Sequence, residues 1–248
     1  MNNLIVIDNL GKKYNTLSGE VSAIDDISLN IKKGEIIAIV GSSGCGKSTL
    51  LSILSGLDKQ SKGSFYFNDE VKIGYMLQQD ALLPWMSIYD NATLGLKINK
   101  LFDEEHIKYV DYLLKLYDLY DFKDKKPASL SGGMKQRVAL IRTLALKPNV
   151  LLLDEPFSAL DYQTRLLISE DVYNVAKKEN ITMIIVTHDL AEAITLADRV
   201  VILSKRPAKI KSIVPIVFEE KDSPINNRKA KEFNYYYDLI WRELDVII

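Results

Sequence analysis

Ile36-Ile37-Ala38-Ile39-Val40, Gly41-Ser42-Ser43-Gly44-Cys45-Gly46-Lys47-Ser48-Thr49 and Leu50-Leu51-Ser52-Ile53-Leu54-Ser55-Gly56-Leu57 follow one another without a gap. The first run is apolar throughout and reads as a buried strand. The last has its apolar residues spaced for a helix packed along one face. Between them, G-x-x-x-x-G-K-[ST] is the spacing of a phosphate-binding loop. Glycines let the chain turn tightly enough for several N–H groups to face one hollow, and the positive end of the following helix backs it. Lys47 is placed to reach β- and γ-phosphates as a point charge, and Ser48 to put its hydroxyl on Mg²⁺. These residues imply nucleotide binding.

Working outward, 248 residues are enough for one large domain or a domain with a subdomain. A chain that is 47% hydrophobic and 26% charged buries a core rather than staying disordered. Its 32 basic and 33 acidic residues nearly cancel, which excludes a general nucleic-acid binder, so no nucleic-acid partner is expected. No apolar stretch approaches the ~20 residues of a membrane span. The start, Met1-Asn2-Asn3-Leu4-Ile5-Val6, has neither the basic nor the long apolar region of a secretory leader, and a cytoplasmic location is expected. With Cys45 as the single cysteine, an intrachain disulfide and a cysteine zinc site are excluded.

Before the loop, Leu4 to Leu10 and Val21 to Ile31 alternate as antiparallel strands, with Tyr14 in the loop between them. After it, Ser64-Phe65-Tyr66-Phe67 and Ile73-Gly74-Tyr75-Met76-Leu77 read as two short strands around an Asn68-Asp69-Glu70 turn. Ala81-Leu82-Leu83-Pro84-Trp85 follows Gln78 as an apolar knuckle, either core or a partner-docking surface. From Ser87 to about Lys126 the period becomes helical, and His106 is expected as a solvated helix residue there. The run Asp222 to Asn227 reads as a linker. Phe233, Tyr236, Tyr237, Ile240 and Leu244 share one face of a terminal helix that should dock. Pro215 restricts the apolar residues around it to edge strands.

Three further stretches carry chemistry. Leu130-Ser131-Gly132-Gly133 opens a helix from about Met134 to Leu146, making a second cluster of N–H donors at a positive helix end. Val150-Leu151-Leu152-Leu153 ends in Asp154-Glu155; Asp154 would hold a metal through water, and Glu155 would polarise the attacking water as general base. Met183-Ile184-Ile185-Val186 ends in Thr187-His188-Asp189, which puts His188 at the same sheet edge, within reach of a γ-phosphate. Asp189 or Thr187 is expected to cap the next helix.

Together with Ser158-Ala159-Leu160-Asp161, these motifs resemble the ATP-binding cassette (ABC) family over nearly the whole chain. The resemblance implies an α/β fold: a phosphate-loop NTPase core with a mostly parallel sheet, an N-terminal antiparallel β subdomain and an inserted α-helical subdomain. Residues 1–80 and 148–218 would form the ATP-binding core with its β subdomain, 81–147 the helical subdomain, and 219–248 a helical tail. It further implies ATP and Mg²⁺ as ligands, with Lys47, Gln78, Glu155 and His188 catalytic. Tyr14 would stack on adenine, and Ser48, Gln78 and Asp154 would serve the metal. Ser131, Gly132 and Gly133 would touch the γ-phosphate of ATP on an opposite cassette, with Asp161 at the seam. Met134 stands where many members have glutamine. A second identical cassette, transmembrane permease subunits and, indirectly, an extracytoplasmic binding protein are the implied partners, with the chain peripheral on the inner face of the membrane. Ala81 to Trp85, Ser204 to Ile210 and the tail Arg228 to Leu244 resemble the nitrate/sulfonate/taurine importer branch. A soluble cassette acting on ribosomes or DNA, and an exporter component, are the competing readings.

Overall fold

The computed structural model describes residues 3–17, 19–220 and 222–244. The reading of the start therefore lies outside the described residues at Met1 and Asn2, as does the end of the tail at residues 245–248. In chain order the strands are β1 (Asn3–Thr16), β2 (Gly19–Lys32), β3 (Ile36–Val40), β4 (Lys62–Phe67), β5 (Ile73–Met76), β6 (Val150–Asp154), β7 (Thr182–Val186), β8 (Arg199–Leu203) and β9 (Ala208–Pro215). The helices are α1 (Lys47–Leu54), α2 (Ile88–Ile98), α3 (Glu104–Leu116), α4 (Gly132–Leu144), α5 (Tyr162–Lys178), α6 (Leu190–Leu196), α7 (Pro224–Asn227) and α8 (Glu232–Glu243).

Every residue of β3, β6 and β7 is buried, as a parallel strand covered on both faces requires. Alternate side chains point to opposite faces, so each strand feeds two cores. Ile37 and Ile39 pack with Leu50, Leu51 and Leu54 of α1. Ile36, Ala38 and Val40 pack with residues of α2 to α6 and with Ile240 of α8. The strands join one sheet in the order β4-β1-β2-β9-β8-β3-β7-β6-β5. Strands β8, β3, β7, β6 and β5 are parallel, whereas β4, β1 and β2 are antiparallel. Because the parallel strands share a direction, Gly41, Gln78, Glu155 and His188 all follow carboxyl ends at one edge of the sheet, where α/β folds collect ligands.

The structure corrects several expectations. Tyr14 is not in a loop: β1 continues to Thr16, and Tyr14 pairs with Val21. The polar run Lys12 to Asn15 hides this strand because the ribbon leaves the core there and alternation fades. Strands β4 and β5 are not a hairpin; β4 pairs with β1 and β5 with β6, at opposite ends of the sheet order. Residues 68–72 span at most ~20 Å, so the two edges must curl toward each other. Strand β9 lies inside the sheet order, between β2 and β8, but β2 reaches only Ala208 and Lys209; at Pro215 the strand is paired on the β8 side alone, the local edge that a proline requires. The stretch from Asp222 contains α7, begun by Ser223 and Pro224 in the way a helix start favours. His106 is not solvated: its ring is 14% exposed, with Nδ1 2.8 Å from Asp103, the N-cap of α3. The terminal helix does dock, with Phe233, Tyr236, Tyr237, Ile240 and Leu244 against the core.

Gly63, at the start of β4, has φ +72°, and a Cβ there would meet the Asn9 carbonyl oxygen at 2.3 Å. Gly63→Ala combines left-handed strain with a backbone clash, and the expected loss is about 3 kcal/mol. Urea unfolding measures it; an unchanged midpoint would mean that the Asn9 carbonyl moves aside freely.

Candidate functional site

The phosphate loop is shaped by Gly44 (φ +70°) and Gly46 (φ +125°), conformations that side chains with a Cβ rarely adopt. Gly46 caps α1 without a side-chain hydrogen bond, so the first N–H groups of α1 have no side-chain cap and their positive end faces the loop. Lys47 is 7% exposed, and its Nζ donates to the carbonyls of Gly41 (2.8 Å) and Ser42 (3.0 Å). It closes the loop on itself and must turn to meet a phosphate. Cys45 is buried. A cavity of about 270 Å³ is lined by Ser43, Lys47, Ser48 and Thr49 of this segment together with Tyr14, Gln78 and Glu155.

Tyr14 is held upright by its hydroxyl, which donates to Asp58 Oδ2 (2.8 Å). Lys12 bonds the other oxygen of Asp58 and lies 4.7 Å from the Tyr14 ring centre. The Lys12 ammonium and the Tyr14 hydroxyl together hold the Asp58 carboxyl below its usual range.

Asp154 ends β6 almost fully buried, and its Oδ1 has no hydrogen-bond partner. Burial pushes this carboxyl up, while the Ser48 hydroxyl draws it back down. A buried, unpartnered carboxylate oxygen beside a serine hydroxyl is a set of hard oxygen donors that fits Mg²⁺. Glu155 takes a left-handed φ of +48°, uncommon for a residue with a side chain. Its N–H donates to Val186 O (2.8 Å), and its carbonyl accepts from Gln136 Nε2 (3.0 Å). Thus pinned, it extends Oε2 to 3.3 Å from Gln78 Nε2 and 3.3 Å from His188 Nδ1. The ends of β5, β6 and β7 therefore converge on one carboxylate.

The signature turn does not join them. Ser131 caps α4 by accepting the Met134 N–H (3.3 Å); Ser131 and Gly132 are exposed and Gly133 lies half-buried against Ala159 and Leu160. Asp161 caps α5 on the surface, accepting the Thr164 N–H (3.0 Å). Two site residues escaped the sequence reading. Gln136 is buried, with Oε1 accepting the Ala159 N–H (3.0 Å) while Nε2 holds Glu155. A buried amide three residues past a Ser-Gly-Gly cap was the available signal. Arg206 reaches the cavity rim and donates from Nε (3.1 Å) and Nη2 (2.8 Å) to the Gly44 carbonyl, a contact across 162 positions that no local pattern announces.

The sequence profile described as ABC transporter matches residues 24–158, more than half of the chain. The chain belongs to the ABC transporter family. An ABC transporter ATP-binding protein of Bacillus subtilis is 42% identical over 96% of this chain and 95% of its own. The nitrate import ATP-binding protein of Synechococcus elongatus is 39% identical, over 97% and 90%. Among solved structures, a dimeric bacterial ABC transporter cassette superposes with TM-score 0.79 at 31% identity, covering 86% of this chain and 99% of that one. The fold is that of an ABC ATPase, and the cassette is the ATP-binding, ATP-hydrolysing subunit of a transporter. No helix among the described residues is long and apolar enough to cross a membrane.

Proposed function

We propose that two copies of this cassette enclose two ATP molecules, each between one copy's phosphate loop and the other's Ser131-Gly132-Gly133 turn, and so energise import through a separate permease. The observation that carries the reading is the separation of parts within one chain. The Ser131 cap presents a helix N-terminus that its own cavity does not use. The dimeric solved relative supports the pairing of two cassettes.

In this reading ATP stacks on Tyr14 and lays its phosphates along Gly41 to Thr49, with Lys47 turning from its own loop carbonyls to the β- and γ-phosphates. Ser48, Gln78 and Asp154 would hold Mg²⁺, which would supply charge neutralisation at the phosphates. Glu155 takes a proton from the water that attacks the γ-phosphorus, and ADP and phosphate leave. His188, against Glu155, contacts the γ-phosphate side of the site. Closure on ATP and release after hydrolysis supply the mechanical cycle.

The permease would dock on the surface away from the nucleotide. A groove of about 650 Å³ lies between α3 and α5, with Tyr109 and Tyr112 stacked in its wall beside Leu116 and Val175. Trp85, 67% exposed on the Pro84 knuckle, offers a second apolar contact. Both suit a helix presented by a membrane partner at the cytoplasmic face. The nitrate import relative supports import of a small anionic or organic solute; its delivery by an extracytoplasmic binding protein is part of the same proposal.

Pull-down of the Glu155→Gln chain with ATP from solubilised membranes tests this reading. A multi-span permease is expected; ribosomes or DNA in its place would move the cassette to a soluble role. A narrower test is Tyr14→Ala, for which stacking loss lowers ATP affinity on the order of tenfold to a hundredfold. Tyr14→Phe keeps the ring and should stay within about threefold, since only the Asp58 hydrogen bond goes. Equal losses in both variants would remove Tyr14 from the adenine site.

A further inference from the structure

Arg165, in the first turn of α5, reaches three other groups. Its Nη2 donates to the Leu160 carbonyl (3.1 Å), in the loop that carries Asp161. Its Nη1 donates to Asp189 Oδ2 (3.0 Å). Its Nε is buried without a hydrogen-bond partner, 3.6 Å from Glu192 Oε1.

The acidic side of this cluster frames His188. Asp189 Oδ1 caps α6 by accepting the N–H groups of Ala191 (2.8 Å) and Glu192 (3.3 Å). Thr187 Oγ1 donates to Glu192 Oε2 (2.6 Å) and accepts the Asp189 N–H (3.0 Å). Both chain neighbours of His188 are thus fixed by the cluster, while the His188 side chain is 66% exposed and meets Glu155 at its margin. Moving the cluster moves the turn that carries the histidine.

The cluster is also unfinished. Glu192 is buried, and burial pushes its carboxyl up to about 7, against the pull of the Thr187 hydroxyl and the charges of Arg165 and His188. A buried guanidinium N–H left without an acceptor carries a penalty of its own. A sub-ångström approach of α5 to α6 would bring Nε into bonding range of Glu192 and relieve both. An element with one bond open by so small a distance is suited to two arrangements, one with the bond open and one with it made.

We propose that Arg165 is a positioning residue that relays the seating of the Asp161 loop on the partner cassette to the His188 turn, its Nε–Glu192 bond closing as the two cassettes close. The relay rests on the two-cassette reading above. It makes hydrolysis conditional on docking: the Leu160 carbonyl is the input and the Thr187–Asp189 turn is the output. Arg is required because its planar fork holds the Leu160 and Asp189 acceptors while keeping Nε beside Glu192, which a lysine ammonium on a flexible stem does not do.

The test measures ATP turnover, ATP binding and ATP-driven dimerisation separately, the last in the Glu155→Gln background where turnover is blocked. Arg165→Ala should lower kcat at least tenfold, with KM and the binding of ATP to the monomer within twofold, and still yield a trapped dimer by gel filtration. Arg165→Lys should fall nearly as far. Glu192→Gln, which keeps the Thr187 partner but removes the ion, should show the same split should Arg165→Ala fail to fold. A kcat within twofold of the parent in these variants overturns the relay. Dimer trapping lost together with kcat also overturns it, leaving Arg165 a seam residue only. Failure of the Glu155→Gln parent itself to dimerise with ATP strikes the two-cassette reading and takes the relay with it.

Discussion

Glu155→Gln lowers ATP turnover on the order of 10³-fold, within the range that a positioned general base contributes, or roughly 4 kcal/mol of activation free energy. The amide keeps the shape of the side chain but cannot accept a proton at neutral pH. Its Nε2 or Oε1 can still meet Gln78 and His188, which stand 3.3 Å from the native carboxylate, so the fold and the cavity persist. ATP then binds and stays. The expected results are a nucleotide-dependent dimer on gel filtration, and single-turnover kinetics slowed to the same extent as steady state. Normal turnover would remove Glu155 from the role of base. Normal dimerisation without ATP would remove the nucleotide from the seam.

Lys47→Ala is expected to act on binding and chemistry together. Charge-assisted bonds to the phosphates are lost, lowering ATP affinity on the order of tenfold to a hundredfold. Turnover at saturation falls about 10²- to 10³-fold more, as for removal of a donor aimed at developing charge. The same substitution also touches the loop itself, because Nζ bonds the carbonyls of Gly41 and Ser42. Titration with a fluorescent ATP analogue and steady-state kinetics separate the two effects. Unchanged affinity would mean that Lys47 stays on its own carbonyls when ATP binds.

The parallel half of the fold was legible because its central strands are short apolar runs punctuated by motifs. Ile36 to Val40, Val150 to Leu153 and Met183 to Val186 could be little else, and the residues that follow them share an edge by topology alone. The helical stretch from Ser87 to about Lys126, which holds α2 and α3, was legible from its period. The antiparallel half was less so. There the strands run through polar residues, as at Lys12 to Asn15, because both faces of that ribbon leave the core. Pairing partners were also beyond local reading: β4 and β5 are neighbours in sequence and strangers in the sheet. Among site residues, those that act by type and spacing were visible. Those that act through distant contacts, such as Arg206 on Gly44 and Gln136 on the Glu155 backbone, were not.

The two halves of the sheet meet at β2 and β9, whose register holds only Ile24 with Ala208 and Asp26 with Lys209. One wall of the nucleotide cavity, with Tyr14, hangs from the antiparallel side; the other, with the phosphate loop, belongs to the parallel side. A molecule gripping both walls therefore works as a rivet through a narrow hem. ATP held by both would spread its binding energy across this narrowest join of the sheet, and its departure would free the join to flex. The cassette's own stiffness would then be a variable of its reaction cycle.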